Sequence, residues 1–195
     1  MKIAKAIFGL ALAALATGCA GTTVADRVLT NKVFAMVDQT LPTDQFMVKI
    51  FKQTDAIIIR EGRGGELNGM LSTLKYLDEN QHKLIVIDGV CASACTLLLT
   101  RPENVVFTEN AVFRFHSAAV YSSDKKSYQL APVGNAKMFD LFPEEVQEWI
   151  LETDAFGSIE FTDMDNETAR AFFPRMYMEA SKLPDLMDHG SLNIK

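Results

Sequence analysis

Two apolar runs constrain this chain more than any other feature. "AIIIRE" (Ala56–Glu61) and "KLIVIDG" (Lys83–Gly89) are continuous and rich in β-branched residues. A strand with one wet face alternates apolar and polar residues, whereas an unbroken run belongs to a strand covered on both faces. Between the two runs, "LNGMLSTLKYLDEN" places Leu67, Met70, Leu71, Leu74 and Leu77 on one helical face. Strand, helix, strand in that order implies a crossover and a parallel sheet. "FMVKIF" (Phe46–Phe51) alternates and reads as an earlier strand. "NVVFTE" and "AVFRFHSA" read as two later ones. "ASACTLLLT" has the length and composition of a helix. The remainder reads as mainly helical, with "PEEVQEWILE" opening on Pro143 in its first turn.

The N-terminus has a different character. "MKIAKAIFGLALAALATGC" carries two lysines, an apolar stretch and then small residues, the layout of a secretory signal. The stretch is short for a membrane span, which needs about 20 apolar residues. The division expected is a signal peptide at 1–18, a tether at 19–30 and one domain at 31–195. "LATGC" resembles the lipobox of bacterial lipoproteins, although Ala16 stands where leucine is favoured. That resemblance implies lipidation of Cys19 and a membrane-anchored protein on the periplasmic side of the cell envelope. Ala20 after the cysteine suits the outer membrane of a Gram-negative host. The formal charge is −6 and no basic cluster has interleaved aromatics, so no nucleic-acid partner is expected. No metal or cofactor motif stands out.

If Cys19 carries lipid, Cys91 and Cys95 remain. They could be buried thiols packing as small hydrophobes. Export and a spacing that a turn can bring within bonding reach favour a disulfide. Ser93 lies between them, where a strand is expected to give way to a helix. A serine there can cap the helix by accepting from its first amides. It can also be held in the turn as a nucleophile, with the following amide aimed at an oxyanion. A nucleophilic serine needs a base. Of the three histidines, His82 sits in a polar link and His189 near the polar end. His116 follows the strand "VFRF" on the side where α/β folds carry their chemistry.

"IIREGRGGELNGML", "GVCASACTLLL" and "VFRFHSA" occur in this order. Together they resemble the Clp protease proteolytic subunit and its exported relatives in the Clp/crotonase superfamily. The resemblance covers roughly Ala56 to Ala118. It implies an α/β fold, a Clp/crotonase-like spiral of β-β-α units with parallel sheet and a helical C-terminal part. It further implies Ser93 as nucleophile, His116 as general base, and the amides of Gly65 and Ala94 as an oxyanion hole. The family's third residue, an aspartate, has no counterpart. Aligning "FTDMDNETA" on Met164 and Glu167 puts Phe161 at its place, aligning it on Phe161 puts Ile159 there, and Asp163, Glu160 and Asp154 fall nearby but off position.

Two readings of function are open. The first is a lipid-anchored envelope serine hydrolase, most simply a peptidase acting on a peptide or protein through a Ser93 acyl-enzyme, with no cofactor. The second is a catalytically inactive chain of the same fold serving as an envelope binding or assembly lipoprotein. Crotonase-type thioester chemistry fits export poorly. A serine–lysine dyad would have to draw on Lys125 or Lys126, in a stretch that reads as a surface loop. Assembly into a homo-oligomer is compatible with either reading.

Overall fold

The computed structural model describes residues 34–37, 50–52, 54–183 and 192–193. Its centre is the pair of apolar runs. β2 (Ala56–Gly62) and β3 (Leu84–Ala92) lie parallel, with Ile57 opposite Ile85 and Ile59 opposite Ile87. Residues 56–59 and 84–87 are all buried, as unbroken apolar runs require. Alternate side chains enter different layers, following the two-residue period of a strand. Ile57, Ile59, Ile85 and Ile87 join the larger core cluster. Ala56, Ile58, Leu84 and Val86 join a smaller one with Val106 and Met178. Helix α1 (Leu67–Glu79) covers the larger cluster with Met70, Leu74 and Leu77 buried; Leu71 is only partly covered.

β1 (Phe34–Val37), which the sequence reading misses, adds to β2 in parallel, and β9 (Leu192–Asn193) adds to β1. The other edge of β3 serves two strands end to end. β4 (Val105–Phe107) pairs with Ile85–Ile87, and β5 (Val112–Phe115) pairs with Val90–Ala92, both in parallel. Between the two halves of β3 the register with β2 shifts. Asp88 ties this joint together. Thr108 Oγ1 donates to its Oδ1 at 2.7 Å and Asn110 Nδ2 at 3.0 Å, and Arg60 lies 3.6 Å from Oδ2. Such irregularities bend a strand and re-aim the residues beyond them.

β8 (Thr162–Met164) closes the sheet antiparallel to β5, giving the order β8-β5-β3-β2-β1-β9 with β4 beside β3. The expected α/β fold with a mostly parallel sheet is therefore present. Several local expectations are corrected. Ile50 and Phe51 are helical rather than extended, and Thr54 bonds back to the Ile50 carbonyl through both its amide and its hydroxyl. The "KLIVIDG" strand runs on through Cys91 to Ala92. The helix from Ser93 to Thr100 has 3₁₀ geometry. Residues read as loop and helix contain a hairpin of β6 (Ala119–Ser122) and β7 (Ser127–Leu130). Helices α2 (Pro132–Phe139), α3 (Glu144–Glu152) and α4 (Asn166–Phe172) complete the C-terminal part. Pro143 is the N-cap of α3, one position before its expected place.

Gly89 occupies the joint because nothing larger fits. A Cβ built there would lie 2.1 Å from the carbonyl oxygen of Arg60. Gly89→Ala is therefore expected to destabilise the chain by about 2 kcal/mol or more through overpacking against backbone. Urea unfolding of the variant against the parent checks this.

Candidate active site

The parallel register decides what meets what. In β3 and β5, Ala92 is opposite Arg114. Ser93 is the next residue beyond Ala92, and His116 lies two beyond Arg114. On the other side of β3, Gly62 is opposite Cys91, so the chain leaving β2 also passes this end. Three adjacent strands thus deliver Gly65, Ser93 and His116 to one edge of the sheet, where parallel α/β sheets place their ligands. A cleft of about 1090 Å³ is lined there by Gly65, Ser93, Ala94 and His116, together with residues of the hairpin and α2.

Ser93 has a left-handed backbone, φ 58°. This is uncommon for a residue with a Cβ, and such conformations persist only where the surroundings over-determine them. Two features do so here. Gly64, itself at φ 83°, packs against the turn, and a Cβ on it would lie 2.6 Å from both the Ala92 carbonyl and Ser93 Cβ. A disulfide joins Cys91, the second-last residue of β3, to Cys95 in the 3₁₀ helix, with the Cα atoms 5.3 Å apart. Both cysteines are fully buried. The bridge therefore straddles Ser93 and fixes the chain on either side of it.

The capping role for Ser93 is not what the structure has. Ala92 is the N-cap, and no side chain caps this helix. The Ser93 carbonyl accepts from Thr96 Oγ1 at 2.8 Å, while the Ser93 hydroxyl forms no hydrogen bond among the described residues. The first amides of a helix have no acceptor one turn back. Ala94 supplies such an amide, and a Cβ on Gly64 would lie 3.1 Å from it, so the Gly-Gly loop borders it directly.

His116 is half-buried, and its Nδ1 is buried without a hydrogen-bond partner among the described residues. Desolvation holds its pKa below the ordinary 6.5, which favours the neutral ring. The segment after it is anchored: Ser117 N donates to the Ser158 carbonyl, Asn135 Nδ2 donates to Ser117 Oγ at 2.6 Å, and Ala118 N donates to Asn135 Oδ1. None of the three acids near the missing third position bonds to His116. Asp163 pairs with Arg114 at 2.8 Å, Glu160 is exposed, and the Asp154 carboxylate lies over Gly157. The ring beside His116 is Phe161, at 4.7 Å between centroids.

Lys137 is the residue that sequence reasoning missed. It lines the same cleft from α2. Lys125 and Lys126, weighed instead, lie at the exposed turn between β6 and β7, where Lys125 Nζ donates to Gln129 Oε1 at 3.0 Å. No spacing rule links position 137 to Ser93; the hairpin and α2 bring it in. The cleft's rim is apolar, with Val120, Tyr121, Tyr128, Val133, Ile159 and Phe161 between 45% and 73% exposed. His82 is in the exposed α1–β3 link, and Cys19 and His189 lie outside the described residues. Among the described residues no group of three or more His, Cys, Asp or Glu side chains could hold a metal ion. No described helix is long and apolar enough to cross a membrane.

The disulfide and the elbow should prove coupled. Closing so short a loop contributes about 2 kcal/mol in the chain-entropy picture. A Cys91→Ala/Cys95→Ala double variant should lose about that much stability, and hydrogen exchange of the amides from Ser93 to Thr96 should quicken in conditions where it is fully folded. Denaturant unfolding and amide exchange on the same preparation check both parts.

No protein-family model matches the chain, and no curated protein matches it. Solved structures do. One is the 1510-N membrane-bound stomatin-specific protease, determined as a serine-to-alanine mutant. It superposes with a TM-score of 0.52 at 15% identity, over 82% of this chain and 91% of that one. At that identity the likeness speaks for the fold alone, and the fold it shares with this chain is the Clp/crotonase-like α/β fold.

Proposed function

We propose that this chain is a serine hydrolase of the peptidase class, with Ser93 as nucleophile and His116 as general base. The observation that carries it is the strained elbow. A left-handed serine with an uncommitted hydroxyl opens into the cleft that also receives His116 from the end of β5. Structural serines are seldom built this way, since strain of about 1–3 kcal/mol brings a cap no benefit. The apolar rim suits an apolar stretch of polypeptide, and a solved protease with the same fold adds weight.

In the reaction, Ser93 Oγ bonds to the substrate carbonyl carbon while its proton passes to a ring nitrogen of His116. The charge gathered on the carbonyl oxygen is met by the amides of Gly65 and Ala94 and by the positive end of the 3₁₀ helix. The carbon–nitrogen bond then breaks, and His116 returns the proton to the departing amine. Water, activated by the same imidazole, hydrolyses the ester. The presence of Lys137 on the cleft wall favours a second assignment of the proton acceptor, with the lysine amine in place of the imidazole. The cellular part of the proposal is lipid attachment at Cys19 and residence at the periplasmic face of the envelope.

A serine-directed fluorophosphonate tests the reading, because Ser93 Oγ displaces fluoride from phosphorus as it would an amine from carbon. Labelling should map to Ser93 and vanish in Ser93→Ala, whose stability should change by no more than about 1 kcal/mol. His116→Ala and Lys137→Ala separate the two bases: the one that acts should lower the rate by about 10²-fold or more. Absence of labelling in the parent would favour the non-catalytic envelope-binding role. The pH profile derives from the buried imidazole. A base must be neutral, and burial holds its pKa below 6.5, so the rate should fall as pH is lowered, through a midpoint below that value. The same depressed pKa stabilises the fold above pH 6.5, and that contribution should disappear as pH falls through the folded-state value. For the anchor, Cys19→Ser should release the protein from membranes, and mass spectrometry of the parent should find a lipid on Cys19.

A further inference from the structure

The place of the missing acid is filled, and its occupant has a definite geometry. β8 runs antiparallel to β5 with Asp163 opposite Arg114 and Thr162 opposite Phe115. One step further along that register sets Phe161 beside His116. The two rings meet at 4.7 Å and 65°, an edge-to-face contact. Phe161 also carries the guanidinium of Arg114 over its ring, with Cζ 4.9 Å from the centroid. Arg114 is held in turn by Asp163, Nε to Oδ1 at 2.8 Å. The order is carboxylate, guanidinium, phenyl ring, imidazole.

An orienting carboxylate does two things for a catalytic histidine: it fixes the ring's attitude, and it stabilises the charged form. Here Nδ1 has no hydrogen-bond partner among the described residues, so no acceptor among them selects the tautomer or steers the ring. The ring still needs a fixed attitude if its other nitrogen is to reach the serine. We propose that Phe161 is a positioning residue that holds His116 by ring packing, itself braced by the Arg114–Asp163 pair, in place of the hydrogen bond a triad acid would supply. This rests on the reading of His116 as the base. The packing supplies attitude without charge stabilisation, so the site keeps a base of low basicity that is ready below neutral pH. The charged groups around the imidazole are accounted for. Arg114 and Asp163 neutralise one another, Glu160 is exposed beside Phe161, and Glu66 and Lys137 line the cleft from the β2–α1 loop and α2.

The test is an NMR titration of the His116 ring in the full chain, run beside fluorophosphonate labelling. Phe161→Tyr keeps the ring and should leave midpoint and rate unchanged. Phe161→Leu removes the aromatic edge. Its midpoint should rise toward 6.5 as water reaches the imidazole, and its labelling rate should fall about tenfold from misorientation alone. Phe161→Asp offers Nδ1 a carboxylate, so the midpoint should pass above 6.5 and the rate should exceed that of the leucine variant. Should the aspartate variant fail to fold, the leucine and tyrosine variants decide the matter. A folded Phe161→Leu protein with the parent's midpoint and rate overturns the proposal. Failure of the hydrolase reading looks different: no variant, nor the parent, is labelled at Ser93, while the His116 midpoint still responds to position 161.

Discussion

The site depends on one constraint, the parallel pairing of β3 with β2 on one edge and β5 on the other. Parallel neighbours end on the same side of a sheet, so loops leaving them meet without any contact between the loops being needed first. Had β5 run antiparallel to β3, His116 would lie at the far end of the strand from Ser93. The registers that pair Gly62 with Cys91 and Ala92 with Arg114 bring the glycine loop, serine and histidine to a common level. Everything else at the site adjusts orientation within that arrangement.

Two adjustments work at different ranges. The joint at Asp88 and Gly89 acts at the scale of strands. It divides β3 so that β4 takes the first half of its edge, leaving the second half free for β5. The disulfide and Gly64 act at the scale of one residue. They enclose a backbone conformation that Ser93 would leave if released, and both lie within the buried frame around it. Buried rigidity around a half-open hydroxyl is the arrangement a nucleophile needs, because its geometry must be set before substrate arrives.

The sequence made the framework legible because its signals are local. Unbroken β-branched runs announce doubly covered strands, and the leucine spacing in residues 67–77 announces a helix against them; the burial of 56–59 and 84–87 is the direct consequence. Cys91 and Cys95 were readable as a pair from their spacing and from the export that the N-terminal sequence leads one to expect. The hairpin was not readable. Val120, Tyr121 and Tyr128 are exposed, so the pairing of β6 with β7 answers to no buried face and leaves no clear alternation. β1 and β8 are also short, at four and three residues, below the length at which a pattern separates from its surroundings.

The sequence by itself determined the fold class, the serine between two cysteines and the histidine after an aromatic strand, since these rest on side-chain periodicity and on neighbours along the chain. Only the tertiary structure decided that Ser93 is left-handed and uncapped, that Lys137 shares its cleft, and that Phe161 stands against His116 where an acid was sought. The physical reason is range. Backbone strain is imposed by atoms packed around a residue. The partners of a side chain at a sheet edge are set by register with strands that lie far away along the chain.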